Sequence, residues 1–239
     1  MLAFRGALRS ERFQSYGSRD ALEVRRIRAS EVGEPLEFVT LRSGRRSCIG
    51  LDLFSGALLE AFFATPLAED GEVPVAFTVV HGEIVHDPEP ADPSRPERVV
   101  LAEAPAIGDV IGGRALDRLL AATDAPLNSP LLGYIGSGMP FEDLDGMRPS
   151  LCTVRPRAAE LLRTRTGSMC NVVLGDAVHE LPVADPRVAM ALDQLGTDRI
   201  DTRVFERATG FGGDRLVVGL LPPDEGWCAK GVLALVPKP

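Results

Sequence analysis

The sequence predicts an α+β fold, with mainly antiparallel sheets and packed helices. Three observations point there. Strand-like and helix-like stretches interleave without the strict βαβ regularity of a doubly wound sheet. Several consecutive strand candidates read as hairpins. The 19 prolines and 24 glycines among 239 residues call for many turns between short elements.

Taken in order, Ala21–Ile27 (ALEVRRI) alternates, with Leu22, Val24 and Arg26 on one face. Glu37–Leu41 (EFVTL) is a second strand candidate, and Ser43–Arg46 (SGRR) reads as a turn. Ser55–Ala64 (SGALLEAFFA) reads as a helix. Ser55 is its N-cap, Leu58, Leu59, Phe62 and Phe63 form an apolar face, and Pro66 follows as its stop. Val73–Val80 and Glu83–His86 read as a hairpin about His81-Gly82. Asp87–Glu97 is a Pro-rich acidic loop, and Arg98–Ala104 is a strand.

Gly113–Thr123 is an amphipathic helix, and residues 124–150 are turn-rich. Pro156–Thr166 reads as a helix with proline in its first turn. Met169–Val183 reads as a hairpin turning at Gly175-Asp176. Pro186–Gly196 is a third helix, opened by proline and closed by glycine. The strands Leu216–Leu221 and Val232–Val236 flank a PPDEG turn and close the chain.

Bulk properties narrow the function. Hydrophobic residues make up 45% and charged residues 25%, so a sizeable core forms without disulfides or metals. A net charge of −8 excludes nucleic-acid binding through bulk positive potential and leaves room for a local basic groove. Of the 26 basic residues, 24 are arginine, which we read as a coding bias. Cys48, Cys152, Cys170 and Cys228 are far apart and form no CxxC, so a metal site is not expected. Arg5 and Arg9 interrupt any apolar start, and no run is long enough to span a membrane. The expected setting is the cytoplasm, with reduced thiols and no cofactor.

The chemically suggestive groups each have a plain counterpart. On the 169–183 hairpin, Cys170 and His179 are diagonal neighbours on one face, a thiol–imidazole pair or an ordinary buried cysteine beside a half-buried histidine. His81 and Glu83 share a strand face while His86 points away, so two ligands at most converge there. Lys230 precedes an apolar strand. It is a candidate buried nucleophile, a phosphate contact, or an edge-strand lysine that discourages aggregation. Gly133–Pro140 (GYIGSGMP) is an anion-cradling loop or simply a flexible one. Arg42, Arg45 and Arg46 surround a turn, and Arg155, Arg157, Arg163 and Arg165 begin and line the segment read as a helix. Both clusters suit a phosphate backbone or plain solvation.

The order of three segments resembles the RAMP superfamily, the RRM-like subunits of CRISPR effector complexes. Leu53–Ala64 is similar to the family's loop-and-helix segment. Gly82–Pro90 takes the place of the strand that follows. Arg203–Leu235 resembles the closing pattern of short basic strand, Gly turn and two strands. Gly6–Gly17 is loosely similar to the family's first strand and loop.

The resemblance implies ferredoxin-like (RRM-like) modules with long insertions. Residues 1–104 would be an N-terminal ferredoxin-like half, 105–198 an insertion or second-half elements, and 199–239 the strands that complete the fold. It also implies a non-catalytic subunit that holds guide RNA among other protein subunits, with no membrane. Ser43–Arg46, Ser55 and Gly56 would lie near the RNA. Gly210, Gly212 and Gly213 would let the backbone approach phosphates. Asp20 occupies an early loop where some family members carry a cutting aspartate. Two alternatives stay open: a small-molecule enzyme using Lys230, Cys228 or Cys170, and a scaffold or assembly protein without ligand.

Overall fold

The computed structural model describes residues 32–67, 73–89, 91–102, 105–126, 130–210 and 212–239. The strand candidate Ala21–Ile27, the segment Gly6–Gly17 and Asp20 lie outside the described residues. Within them strands dominate, and the expected helix-packed α+β fold of ferredoxin-like modules is overturned. Strands β1 (Pro35–Ser43), β2 (Ser47–Asp52), β3 (Leu58–Phe63), β4 (Thr78–Val85) and β5 (Arg98–Leu101) close into a barrel, in the order β1-β2-β3-β5-β4-β1. Only the β3–β5 pair is parallel. This is a five-stranded Greek-key barrel, the architecture that OB barrels use. A ferredoxin-like unit needs a crossover helix after its first strand. Here β1 turns straight into β2 through Gly44–Arg46.

The barrel closes because β1 serves two neighbours. Its first half pairs β4 from Pro35↔Glu83 to Val39↔Val79. Its second half pairs β2, with a register shift between Thr40 and Arg42 that bends the strand. Leu36, Phe38, Leu59, Ala61, Val80, Ile84 and Leu101 fill the interior. Gly50 faces the Phe38 ring so closely that a Cβ would overlap it. A short strand, β6 (Ala106–Val110), then adds to β4.

Helix α1 (Arg114–Ala121) follows, and the rest of the chain repeats the same plan. Strands β7 (Gly138–Pro140), β8 (Leu151–Val154), β9 (Ala158–Thr164), β10 (Gly167–Leu174) and β11 (Ala177–Val183) lead into helix α2 (Pro186–Leu195). Then come β12 (Arg199–Asp201), helix α3 (Thr202–Thr209), β13 (Arg215–Leu220) and β14 (Trp227–Val236). The sheet order is β12-β9-β10-β11-β14-β13-β8, with β11–β14 parallel. Its path ends at β8 beside β13, and β8 runs into β9 through Arg155-Pro156-Arg157. Pro156 has no N–H to give a ladder, so the strand breaks and turns there. The pair β8/β9 therefore acts as one bent first strand, as β1 does. Interior residues Cys152, Val154, Leu161, Cys170, Val172, Leu181, Leu216 and Val232 join one core, with Val188, Leu192 and Phe205 of α2 and α3 packed into it.

The two units share a third core. Val39, Leu41, Ile49, Leu51 and Leu58 from the outside of the first barrel meet Leu151, Val217, Leu233, Ala234 and Val236 from the second, with Leu116 and Leu120 of α1. Two helix expectations fail, and the seam bears on the first of them. Ser55–Ala64 holds a turn and then β3, and Pro156–Thr166 holds β9. Leu58 faces the seam while Leu59, Ala61 and Phe63 face the barrel. A strand buried on both sides loses the alternation that marks it, and its apolar residues then fit a helical spacing as well.

Other expectations hold. Helices form at 114–121 and 186–195; Asp185 caps the second and Gly196 ends it in the left-handed region. The 169–183 hairpin turns at Gly175-Asp176, with Val172 opposite His179 and Cys170 opposite Leu181. The His81-Gly82 hairpin does not form, because β4 runs straight through it.

Candidate functional site

The residues expected to hold RNA do not converge. Arg45 and Arg46 are exposed at the β1–β2 turn, with Arg42 half-buried beside them. Ser55 and Gly56 sit in the β2–β3 turn, which Asp52 organises by accepting from the Phe54 and Ser55 N–H groups, 3.0 Å each. Arg155 pairs with Asp117, and Arg163 bridges Asp193 and Asp198. Arg157 and Arg165 are exposed at opposite ends of β9. These four arginines lie on and beside a strand rather than lining a helix.

The glycine loop is not an open cradle. Gly210 is the left-handed C-cap of α3, where a short basic strand had been expected. Gly212 and Gly213 are buried, with φ of +78° and +112°. A Cβ on Gly213 would run into Glu206 and lie 2.7 Å from the Thr202 carbonyl. These glycines let the chain pack against α3 and β14.

Two buried charges, Arg215 and Glu97, are held by fixed partners, and the second of them ties the units together. Arg215 is fully buried and donates to both Asp124 carboxylate oxygens at 2.8 and 3.0 Å, with Thr153 Oγ1 donating to the same Asp124. Glu97, at the start of β5, accepts from the Ser150 N–H at 2.7 Å and the Ser150 hydroxyl at 2.5 Å. Burial pushes the Glu97 carboxyl above its ordinary value, and the Ser150 hydrogen bonds oppose that shift. Glu97 and Asp124 line a cleft between the units with Thr123, Leu132, Pro149 and Cys152; its volume is about 150 Å³. That is room for about five waters, below the size of usual organic-ligand pockets.

The reactive-group candidates are muted. Burial pushes the Cys170 and Cys152 thiols up to about 12, so neither is a ready thiolate. His179 shares the face of Cys170 as expected. Its pKa is lowered by burial and by nearby Lys230, which leaves it a neutral imidazole. Among the described residues no group of three His, Cys, Asp or Glu side chains is placed to hold a metal.

Lys230 is the centre of a different structure. It is 2% exposed, on β14. Its ammonium donates to the carbonyls of Tyr134 and Gly136, the latter at 2.7 Å, and its own N–H donates to the Ser137 carbonyl at 2.7 Å. Desolvation lowers its pKa. The three bonds pin residues 134–137 against β14. Ile135 lies between the two clamped carbonyls and is 89% exposed.

The chain continues into β7, which pairs with the start of β14, Pro140 opposite Trp227. The Phe141 N–H donates to the Gly226 carbonyl at 2.8 Å, bringing 141–145 alongside the 222–226 turn. Glu142, Asp143, Asp145, Asp224 and Glu225 are all exposed there. Sequence reasoning missed this strip. The acidic runs FEDLD and PPDEG were visible, but they lie about eighty positions apart and meet only through β7–β14 pairing.

Comparison with known protein families, with curated proteins and with solved structures returned no match for this chain.

Proposed function

We propose that the chain is a non-catalytic assembly subunit that works in the cytoplasm by holding a protein partner. The observation that carries this reading is the clamp at Lys230. The amine best placed in the sequence for covalent chemistry is committed to two backbone carbonyls. What it produces is a fixed loop that displays Ile135. Rigid display of an apolar side chain lowers the ordering cost of association. Glu97 is likewise engaged in joining the two units, and Arg215 is engaged with Asp124. Four buried free cysteines suit a reducing compartment. Among the described residues no helix is long and apolar enough to cross a membrane.

A second reading keeps guide RNA and the other subunits of a CRISPR-type effector as the partners. Exposed Arg45 and Arg46 at the β1–β2 turn favour it, because that turn flanks the ligand groove in oligonucleotide-binding Greek-key barrels. The grooves themselves argue the other way. In the first barrel the outer side of β2–β3 is sealed in the seam by Ile49, Leu51 and Leu58. In the second, the matching β10–β11 face carries Asn171 between Glu160 and Glu180.

Purification from the host separates the readings. The assembly reading expects a stoichiometric protein partner and a 260/280 nm absorbance ratio typical of protein. Bound short RNA of defined length would favour the second reading. A free, monodisperse monomer would overturn both.

A further inference from the structure

We propose that the strip formed by residues 134–145 and the 222–227 turn is the docking surface, and that its occupant is a basic segment of a partner protein carrying aliphatic side chains. This deepens the assembly reading and rests on it.

Charge complementarity selects the occupant. Glu142, Asp143, Asp145, Asp224 and Glu225 all stand exposed around the Pro140–Trp227 pair. Arg148 is the basic exception, and its guanidinium lies 5.2 Å from the Tyr134 ring centroid. Such a surface repels a phosphate backbone and steers lysine- or arginine-rich chain toward itself.

The apolar part supplies the anchors. Trp227 is 43% exposed and offers a ring to a cationic or aliphatic side chain. Ile135 stands further along the same strip, flanked by Gly133 and Gly136 in left-handed conformations at φ +74° and +83°. Lys230 is the positioning residue, since its bonds to Tyr134 and Gly136 hold Ile135 outward. An apolar anchor on a fixed loop, rimmed by one sign of charge, is the anatomy of a small protein–protein hot spot.

The probe is a fluorescein-labelled dodecapeptide of alternating arginine and leucine, titrated by anisotropy at physiological ionic strength against the full chain. The combined substitution Glu142→Lys, Asp143→Lys and Asp145→Lys is expected to weaken binding about tenfold or more. The matched reversal Glu34→Lys, Asp176→Lys and Glu180→Lys changes net charge equally and is expected to shift it by less than about threefold. Ile135→Ala, which leaves the charge alone, is expected to weaken binding about three- to tenfold. Equal losses in the two charge reversals would overturn the proposal, because bulk charge alone would then explain the binding.

A photo-cross-linking residue at position 135 or 178, introduced in the host, keeps the two claims apart. Adducts at 135 with a lysine- or arginine-rich peptide support the strip. Adducts confined to 178 sink the strip and leave the assembly reading standing. No protein adduct at either position, with a monomeric native mass, sinks the assembly reading itself.

Discussion

Replacing Lys230 with methionine keeps the apolar stem of the side chain and removes the ammonium. The carbonyls of Tyr134 and Gly136 then lose their donor inside a site that is 2% exposed. Each orphaned acceptor costs about 1–3 kcal/mol. The substitution also relieves the cost of burying a cation that has no carboxylate hydrogen-bonded to it, which offsets part of the loss. The expected net destabilisation is about 2 kcal/mol, or roughly 4–8 °C in Tm for a chain of this size. Urea unfolding followed by the fluorescence of Trp227, the single tryptophan, measures it.

The pH dependence is the sharper test. Folding lowers the Lys230 pKa from 10.5, so the unfolded state holds more protons between the folded value and 10.5. Wild-type stability relative to Lys230→Met should therefore rise with pH through that window. The buried cysteines pull the other way but are present in both proteins, so the difference isolates the lysine. An unchanged midpoint would refute the clamp, and a difference that falls with rising pH would show that the carbonyl bonds outweigh desolvation and overturn the lowered pKa.

Three other substitutions probe the remaining joints. Gly213→Ala must place a Cβ against Glu206 and the Thr202 carbonyl at φ +112°, so it should cost about 2–4 kcal/mol, while Gly210→Ala, with open space around it, should cost about 1 kcal/mol in thermal unfolding. Arg215→Met leaves the half-buried Asp124 without its cation and should cost about 1.5–3 kcal/mol. Adding Asp124→Asn should recover a large part of that loss in a double-mutant cycle. Glu97→Gln preserves an oxygen acceptor for Ser150 and removes a carboxyl whose pKa is raised by burial. Wild type should lose stability as pH rises from 4.5 toward the raised value, because the folded state then holds the extra proton. The glutamine variant should lose Glu97's share of that slope, keep the share from Glu60, whose carboxyl pKa is also raised by burial, and stay within about 1 kcal/mol of wild type near neutrality.

Much local structure was legible in the sequence. The Gly175-Asp176 turn set the register that places Cys170 and His179 on one face, because a two-residue turn leaves one pairing. Pro186 and Gly196 marked both ends of α2, since such signals depend on adjacent residues, and the structure adds Asp185 as its cap. The two closing strands, β13 and β14, were likewise readable. The failures have separate causes. Leu58–Phe63 reads as helical because burial of both Leu58 and Leu59 blurs its alternation, whereas Ala158–Thr164 keeps an alternating burial pattern and reads as helical from the proline in front of it. Arg203–Gly210 was expected as a basic strand but forms α3, capped by Asp201. The family's segment order had supplied that strand, and the local capping signal overrides it.

The sequence by itself determined what neighbours along the chain can decide: turns, caps, hairpin register, the acidic balance and the absence of a complete catalytic motif. Only the tertiary structure decided that two bent first strands close two Greek-key units, and that Ile49, Leu51 and Leu58 seal a seam between them. It alone turned Lys230 from a candidate nucleophile into a clamp and set Glu142, Asp143 and Asp145 beside Asp224 and Glu225. The physical reason is sequence separation. Lys230 meets carbonyls more than ninety residues away, a contact that no local periodicity encodes and that closure of the second barrel brings within reach.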